Sequence, residues 1–204
     1  MENIRERIVS CAGRVWFCAK ELLKWLALAM ITGVPCGIIG AAFDLAVEHV
    51  TELRTEHTAI LFLLPVIGLV IVAFYKAAKL EGVSTDDMID CVKDGKPIRF
   101  WLLPGLLFCP VMFISTVLTH LGGGSAGREG AALQMGGTIG WWAGGVLHLN
   151  EHERRMAVQC GMAAFFSALF STPLAATFFA MTIVNVGVVF YAAYIPCFTA
   201  AIIA

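Results

Sequence analysis

The chain has 204 residues, of which 59% are hydrophobic and only 14% charged, and its mean hydropathy is +0.81. Soluble globular domains carry about 25% charged residues, so this composition excludes a soluble enzyme, a disordered chain and a small secreted scaffold. The formal net charge of −1 leaves no basic excess, so nucleic acid is not an expected partner.

The uncharged runs set out the predicted elements in chain order. Residues 1–24 carry Arg5, Arg7, Arg14, Lys20 and Lys24. Ile4, Ile8, Cys11, Val15 and Cys18 recur among them at helical spacing, which predicts a cytoplasmic amphipathic helix over 1–19. No short apolar core with a small-residue cleavage site is present, so a cleavable signal peptide is not expected. Residues 20–204 then form one transmembrane domain. The 19 uncharged residues between Lys24 and Asp44 and the 18 from Thr58 to Tyr75 each suit one spanning helix. Phe100 to Gly127 gives 28 uncharged residues, a span plus something extra, and Gly130 to Asn150 gives 21. A short helix over 86–93, capped by Ser84 or Thr85, is a second candidate half-helix; a plain amphipathic loop helix is the alternative. The 49 uncharged residues from Met156 to Ala204 exceed any single span. Breaks at Ser171-Thr172-Pro173 and near Asn185-Val186-Gly187 divide them into helices over 155–170, 173–185 and 188–204.

Twelve of the 14 Lys and Arg residues fall in 1–24, 76–99 and 149–155. Cationic loops stay inside, so the amino terminus and these segments are expected in the cytoplasm of a multi-pass plasma-membrane protein. The chain goes out at 25–47, returns at 58–78 and goes out again at 99–119. Residues 120–148 must come back in, but they begin Gly122-Gly123-Gly124-Ser125-Ala126-Gly127-Arg128-Glu129-Gly130, which is not ordinary helix.

Non-helical backbone at membrane depth survives only inside protein or beside a wet cavity. A helix starting after this stretch exposes unpaired N–H groups, and these groups and the helix dipole together attract an anion. Glu129 is the acid at that end. A carboxylate inside a membrane costs about 2.5–3.5 kcal/mol on insertion scales, which marks it as functional by default. Its carboxylate can occupy the cradle a free anion would use, and protonation releases it, so one residue can serve as gate and proton carrier. The competing reading is a glutamate that caps the helix and pairs with Arg128.

Other motifs carry less. Gly122, Gly124 and Gly127 match a dinucleotide-binding glycine pattern, but the preceding strand and the later acid are missing. Gly136, Gly140 and Gly144 favour close helix packing within the chain over a dimer face. His120, His148 and His152 lack ligand spacing and read as interfacial, so no metal and no cofactor is expected. Trp101, Trp141 and Trp142 anchor or pack. The seven cysteines behave as small hydrophobes.

The motif Gly127-Arg128-Glu129-Gly130, preceded by Gly123-Gly124-Ser125 and followed by Gln134-Met135-Gly136-Gly137, resembles the CLC family of chloride channels and anion/proton antiporters. The likeness runs over roughly 20–204. It includes Glu151-His152-Glu153-Arg154-Arg155 and the run from Ser167 to Ala175. It implies an all-α integral membrane fold, a broken-helix bundle that forms the first of two inverted repeats, in a homodimer with a separate pore in each subunit. It implies transport of small inorganic anions, chloride or fluoride, with protons, and no enzymatic activity. The family's external gate and proton-transfer glutamate maps onto Glu129. The implied anion-binding set is Gly127, Arg128, Gly130 and Ala131, with Val83, Ser84 and Thr85 from the second half-helix.

Three departures matter. Gly82-Val83-Ser84-Thr85-Asp86 replaces the family's Gly-Ser-Gly-Ile-Pro, so Val83 takes the serine's place. Ala131 replaces the usual proline. The internal proton-accepting glutamate falls on Thr182 or Ile183. The first two resemble the fluoride/proton antiporter branch. The chain also matches only the amino-terminal half of the family's core, which implies a truncated record, a split gene or a half-size protein. A passive chloride channel and an inactive membrane fragment or scaffold are the competing functions. A membrane enzyme would need a paired nucleophile and base, which the spans lack.

Overall fold

The computed structural model describes residues 2–80, 82, 84–94, 104–183 and 191–204, without the side chains of residues 2–13, 15, 17, 18 and 104–107. Every regular element among the described residues is helical. Eight α-helices follow in order: α1 Glu2–Glu56, α2 Leu64–Ala77, α3 Thr85–Asp94, α4 Pro104–Leu121, α5 Arg128–Val146, α6 Glu151–Phe170, α7 Pro173–Thr182 and α8 Tyr194–Ile203. A 3₁₀ turn over Thr58–Leu63 leads into α2 and another over Tyr191–Ala193 into α8.

Two boundaries differ from those read in the sequence. The amphipathic helix over 1–19 and the first span are one unbroken helix of 55 residues, which passes through Pro35. The charges that distinguish 1–24 do not interrupt the helix. Near the chain's end, α7 stops at Thr182 and α8 starts at Tyr194, while the break anticipated at 185–187 lies outside the described residues. The other spans stand close to where the uncharged runs put them.

The core is a seam between α5 and α6. A Cβ on Gly136 would strike the Gly161 carbonyl, and one on Gly140 would strike the Ala157 carbonyl. The two helices therefore touch backbone to backbone, which only glycine allows at those positions. Gly144 makes room for the stem of Arg154, whose guanidinium lies 3.7 Å from the Trp141 ring centre. Burial pushes the Arg154 pKa down from its usual value, with the nearby Cys91 opposing the shift. The glycine stripe thus serves packing within the chain.

A second small-residue stripe on α1 meets α8 and α6. Gly33 faces the Ala200 carbonyl, and Gly40 faces Ala168. The fully buried ring of Phe43 meets Phe113 edge-on at 5.3 Å and Phe165 at 6.4 Å, which joins α1, α4 and α6. The thiols of Cys160 and Cys197 meet at 3.7 Å between α6 and α8, and both cysteines are free.

Helix α2 is the opposite case. Leu69 is 72% exposed and Val66 55%, no residue of α2 is buried, and Phe62 in the 3₁₀ turn before it is 89% exposed. Ala19–Glu56 and Thr58–Ala77 are long and apolar enough to cross a membrane. Glycine and alanine where helices touch, with large apolar side chains on the outer surface, is the pattern of helices packed in lipid.

Candidate functional site

The site begins where α4 ends. The Gly124 N–H donates to the Thr119 carbonyl at 2.9 Å, and the Gly123 N–H donates to His120 at 3.1 Å. This pair of bonds closes a helix with a left-handed residue, and Gly123 supplies it at φ +81°. The guanidinium of Arg54, from the end of α1, adds a bond to the His120 carbonyl at 3.2 Å. The Thr119 and His120 carbonyls at the end of α4 are therefore answered, and the chain turns through Gly124–Gly127 to begin again.

Helix α5 begins at Arg128 with Gly127 as its N-cap. Glycine offers no side chain to take the first free N–H groups, so this amino end stays open. Gly127 has φ −68° and ψ 128°, a conformation open to any residue. Its lack of a side chain has a different reason. A Cβ there would come within 2.9 Å of a Glu129 carboxylate oxygen. The Glu129 side chain is thus folded back over the cap, beside the helix end that attracts negative charge. Glu129 is solvent-exposed, and Ala131, two residues further, is buried.

Arg128 does not pair with Glu129. Its Nη1 donates to Asp44 Oδ1 on α1 at 2.6 Å. The ion pair with Arg128 that the competing reading assigns to Glu129 is therefore not formed, while the turn of Glu129 over the helix end is common to both readings. The bond to Asp44 also narrows the part that Arg128 can play in binding an anion, since its guanidinium is directed to α1 and its backbone N–H remains at the cradle.

The second half-helix comes alongside. The hydroxyl oxygen of Thr85, the first residue of α3, lies 3.6 Å from where a Gly130 Cβ would sit. It accepts a hydrogen bond from Gln134 Nε2 at 2.9 Å. Ser84 precedes the helix, and its N–H donates to Asp87 Oδ2 at 2.8 Å. The fold therefore joins Thr85 to Gly130 and draws two helix amino ends together. Val83 lies outside the described residues. Thr182 ends α7 with its hydroxyl donating to Phe178 at 2.9 Å, and Ile183 is that helix's C-cap, so neither position holds an ionisable group.

Asp44 and Gln134 were not among the expected site residues. Asp44 is marked in the sequence only as an acid ending an apolar run. Gln134 belongs to the motif that carries the family resemblance, but the resemblance gives it no role; as an amide deep in an uncharged segment it must find a partner.

Known proteins share this chain's sequence pattern and fold. The sequence pattern of the family described as voltage gated chloride channel matches residues 67–204. The chain is 36% identical to a chloride/fluoride channel protein of Pseudomonas syringae pv. tomato, over 90% of this chain and 40% of that protein. It is 32% identical to the H(+)/Cl(-) exchange transporter ClcA of Cronobacter sakazakii, over 78% of this chain and 36% of that one. Among solved structures, a CLC-type fluoride/proton antiporter superposes with a TM-score of 0.78 at 32% identity, over 90% of this chain and 45% of that one. A slow cyanobacterial Cl-/H+ antiporter shares the fold, with a TM-score of 0.62 at 24% identity, over 88% of this chain and 46% of that one. The chain spans less than half the length of these relatives.

Proposed function

The chain belongs to the voltage gated chloride channel family, whose pattern covers residues 67–204, and on that premise we propose that it carries small inorganic anions across a membrane in exchange for protons. The carrying observation is the Glu129 carboxylate, turned back over Gly127 at the open amino end of α5 while Arg128 is held by Asp44. A carboxylate and an anion compete for one set of N–H donors. When Glu129 takes a proton it becomes neutral, the helix dipole holds it less, and an anion can replace it. Each exchange then moves a proton one way and an anion the other.

Fluoride is the favoured anion. The absence of the family's serine at Val83 and of its proline at Ala131 supports this. So does the greater likeness to the chloride/fluoride channel protein and to the fluoride/proton antiporter than to the chloride exchangers reported above. The working unit is a homodimer in which a second, inverted repeat completes each pore. Half-helix amino ends from both repeats then surround one site, so the 204 residues alone do not transport. The protein acts by transport and not as an enzyme.

The test uses the product of the complete reading frame in liposomes, with anion-driven proton uptake as the readout. Fluoride or chloride gradients are expected to drive proton uptake in the unaltered protein and none in Glu129→Gln. Undiminished proton uptake by the variant removes Glu129 as the gate. Anion flux without proton movement in the unaltered protein makes it a passive channel. The reading also puts the amino terminus and residues 149–155 in the cytoplasm of a plasma-membrane protein. Single cysteines at Asn150 and Thr51, in a background stripped of other cysteines, are expected to label from opposite sides with an impermeant reagent. Labelling from one side refutes that topology.

A further inference from the structure

We propose that Gln134 is a positioning residue for the anion site: it holds the Thr85 hydroxyl so that the proton of that hydroxyl is offered to the anion. The proposal rests on the transport reading above. Six threonines inside the described helices give their hydroxyl protons to the carbonyl four residues back. Thr32 donates to Leu28, Thr51 to Val47, Thr119 to Ser115, Thr138 to Gln134, Thr177 to Pro173 and Thr199 to Ile195. These hydroxyls are consumed by their own helices. Thr85 opens α3 and has no helical turn before it to receive its proton.

The bond that reaches the Thr85 hydroxyl is one it accepts, from Gln134 Nε2 at 2.9 Å. A hydroxyl carries one proton and two acceptor sites. Gln134 fills an acceptor site, which fixes the oxygen and leaves the proton to be given elsewhere. Gln134 is only 7% exposed, so its amide is held in a tight setting. The Thr85 oxygen lies beside Gly130, in the same first turn of α5 that bears Glu129 and the open N–H groups. A halide accepts hydrogen bonds and never donates, so an oriented O–H at that point is the group it needs.

The acids of α3 strengthen the case for the hydroxyl. Asp86 and Asp87 stand in its first turn, and Asp87 already takes the Ser84 N–H. An anion at this end meets amides partly used by the helix's own carboxylate. The Thr85 hydroxyl is the donor that α3 has to give.

The experiment titrates sodium fluoride and sodium chloride, separately, into the purified full-length protein by calorimetry. A hydrogen bond to a charged acceptor is worth enough for about a tenfold change in affinity. Thr85→Val and Gln134→Leu are each expected to weaken anion binding about tenfold, and Thr85→Ser to stay within about twofold of the unaltered protein. The double variant is expected to bind no more weakly than Thr85→Val alone, because both changes remove the same contact. Unchanged affinity in Thr85→Val overturns the proposal, and so does a double variant whose losses multiply to about a hundredfold.

If Gln134→Leu does not elute as folded protein, Gln134→Glu replaces it. That carboxylate accepts the Thr85 proton and draws it from the anion, so it too is expected to weaken binding about tenfold. Unchanged affinity in Gln134→Glu overturns the proposal. The two readings fail differently. Proton-coupled transport that survives with Thr85→Val affinity unchanged removes only the roles of the Thr85 hydroxyl and Gln134. An unaltered protein that neither binds nor moves anions removes both.

Discussion

Helices α5 and α6 lie against each other along glycines, yet they begin in opposite ways. At the start of α6 the Asn150 side chain accepts the Glu153 N–H at 2.9 Å, and the Glu153 carboxylate accepts the Asn150 N–H at 3.2 Å. Lys24 on α1 then neutralises Glu153. Two free N–H groups and one charge are answered permanently by the helix's own side chains. At the start of α5 the cap is Gly127, which answers nothing, and the acid nearby reaches back over the cap. A helix whose only task is to stand in the membrane closes its amino end. An amino end left open beside a carboxylate that can leave is suited to exchange.

The largest effect expected from breaking this contrast is that of Glu129→Gln, which keeps the side chain's size and removes its charge. Proton coupling is expected to vanish while anion binding remains, read by proton uptake and calorimetry on the same preparation. Next comes Gly140→Ala in the shared seam, where the added methyl meets the Ala157 carbonyl. Overpacking of this kind costs about 1–3 kcal/mol, seen as a lower Tm in detergent. Gly127→Ala follows. The backbone there accepts alanine, but its methyl crowds the Glu129 carboxylate. Proton coupling is expected to fall about fivefold, a loss of about 1 kcal/mol, with Tm nearly unchanged. The smallest change is Asn150→Ala at the closed end, which should cost about 1 kcal/mol of stability and leave transport untouched. A transport defect in Asn150→Ala with no loss of Tm would erase the distinction between the two ends.

Much of this was legible in the sequence. The uncharged runs located most spans, because a membrane penalises charge at every depth. The glycine-rich stretch and its single acid located the broken helix, because both are local departures from an apolar pattern. The pairing of partners could not be read the same way. Arg128 stands next to Glu129 in the chain, and adjacency suggests an ion pair, but the helix turns their side chains apart and Asp44, 84 residues away, takes the guanidinium. Gln134 and Thr85 are 49 residues apart, and no periodicity relates them. The continuity of α1 was hidden for a different reason. The change in charge near residue 24 reads as a boundary, although backbone hydrogen bonds do not depend on what the side chains meet.

The glycine seam also bears on timing. With Gly136 and Gly140 set against the carbonyls of α6, α5 cannot slide or roll without a main-chain collision. Its amino end is therefore a fixed point. If Glu129 is the gate proposed above, opening and closing falls to the torsions of one unbranched side chain, a rotation that takes nanoseconds where rearrangement of a helix pair takes microseconds to milliseconds. On the proposed exchange, Glu129 would turn many times during a single crossing, and the pace of the cycle would be left to the arrival of protons and anions.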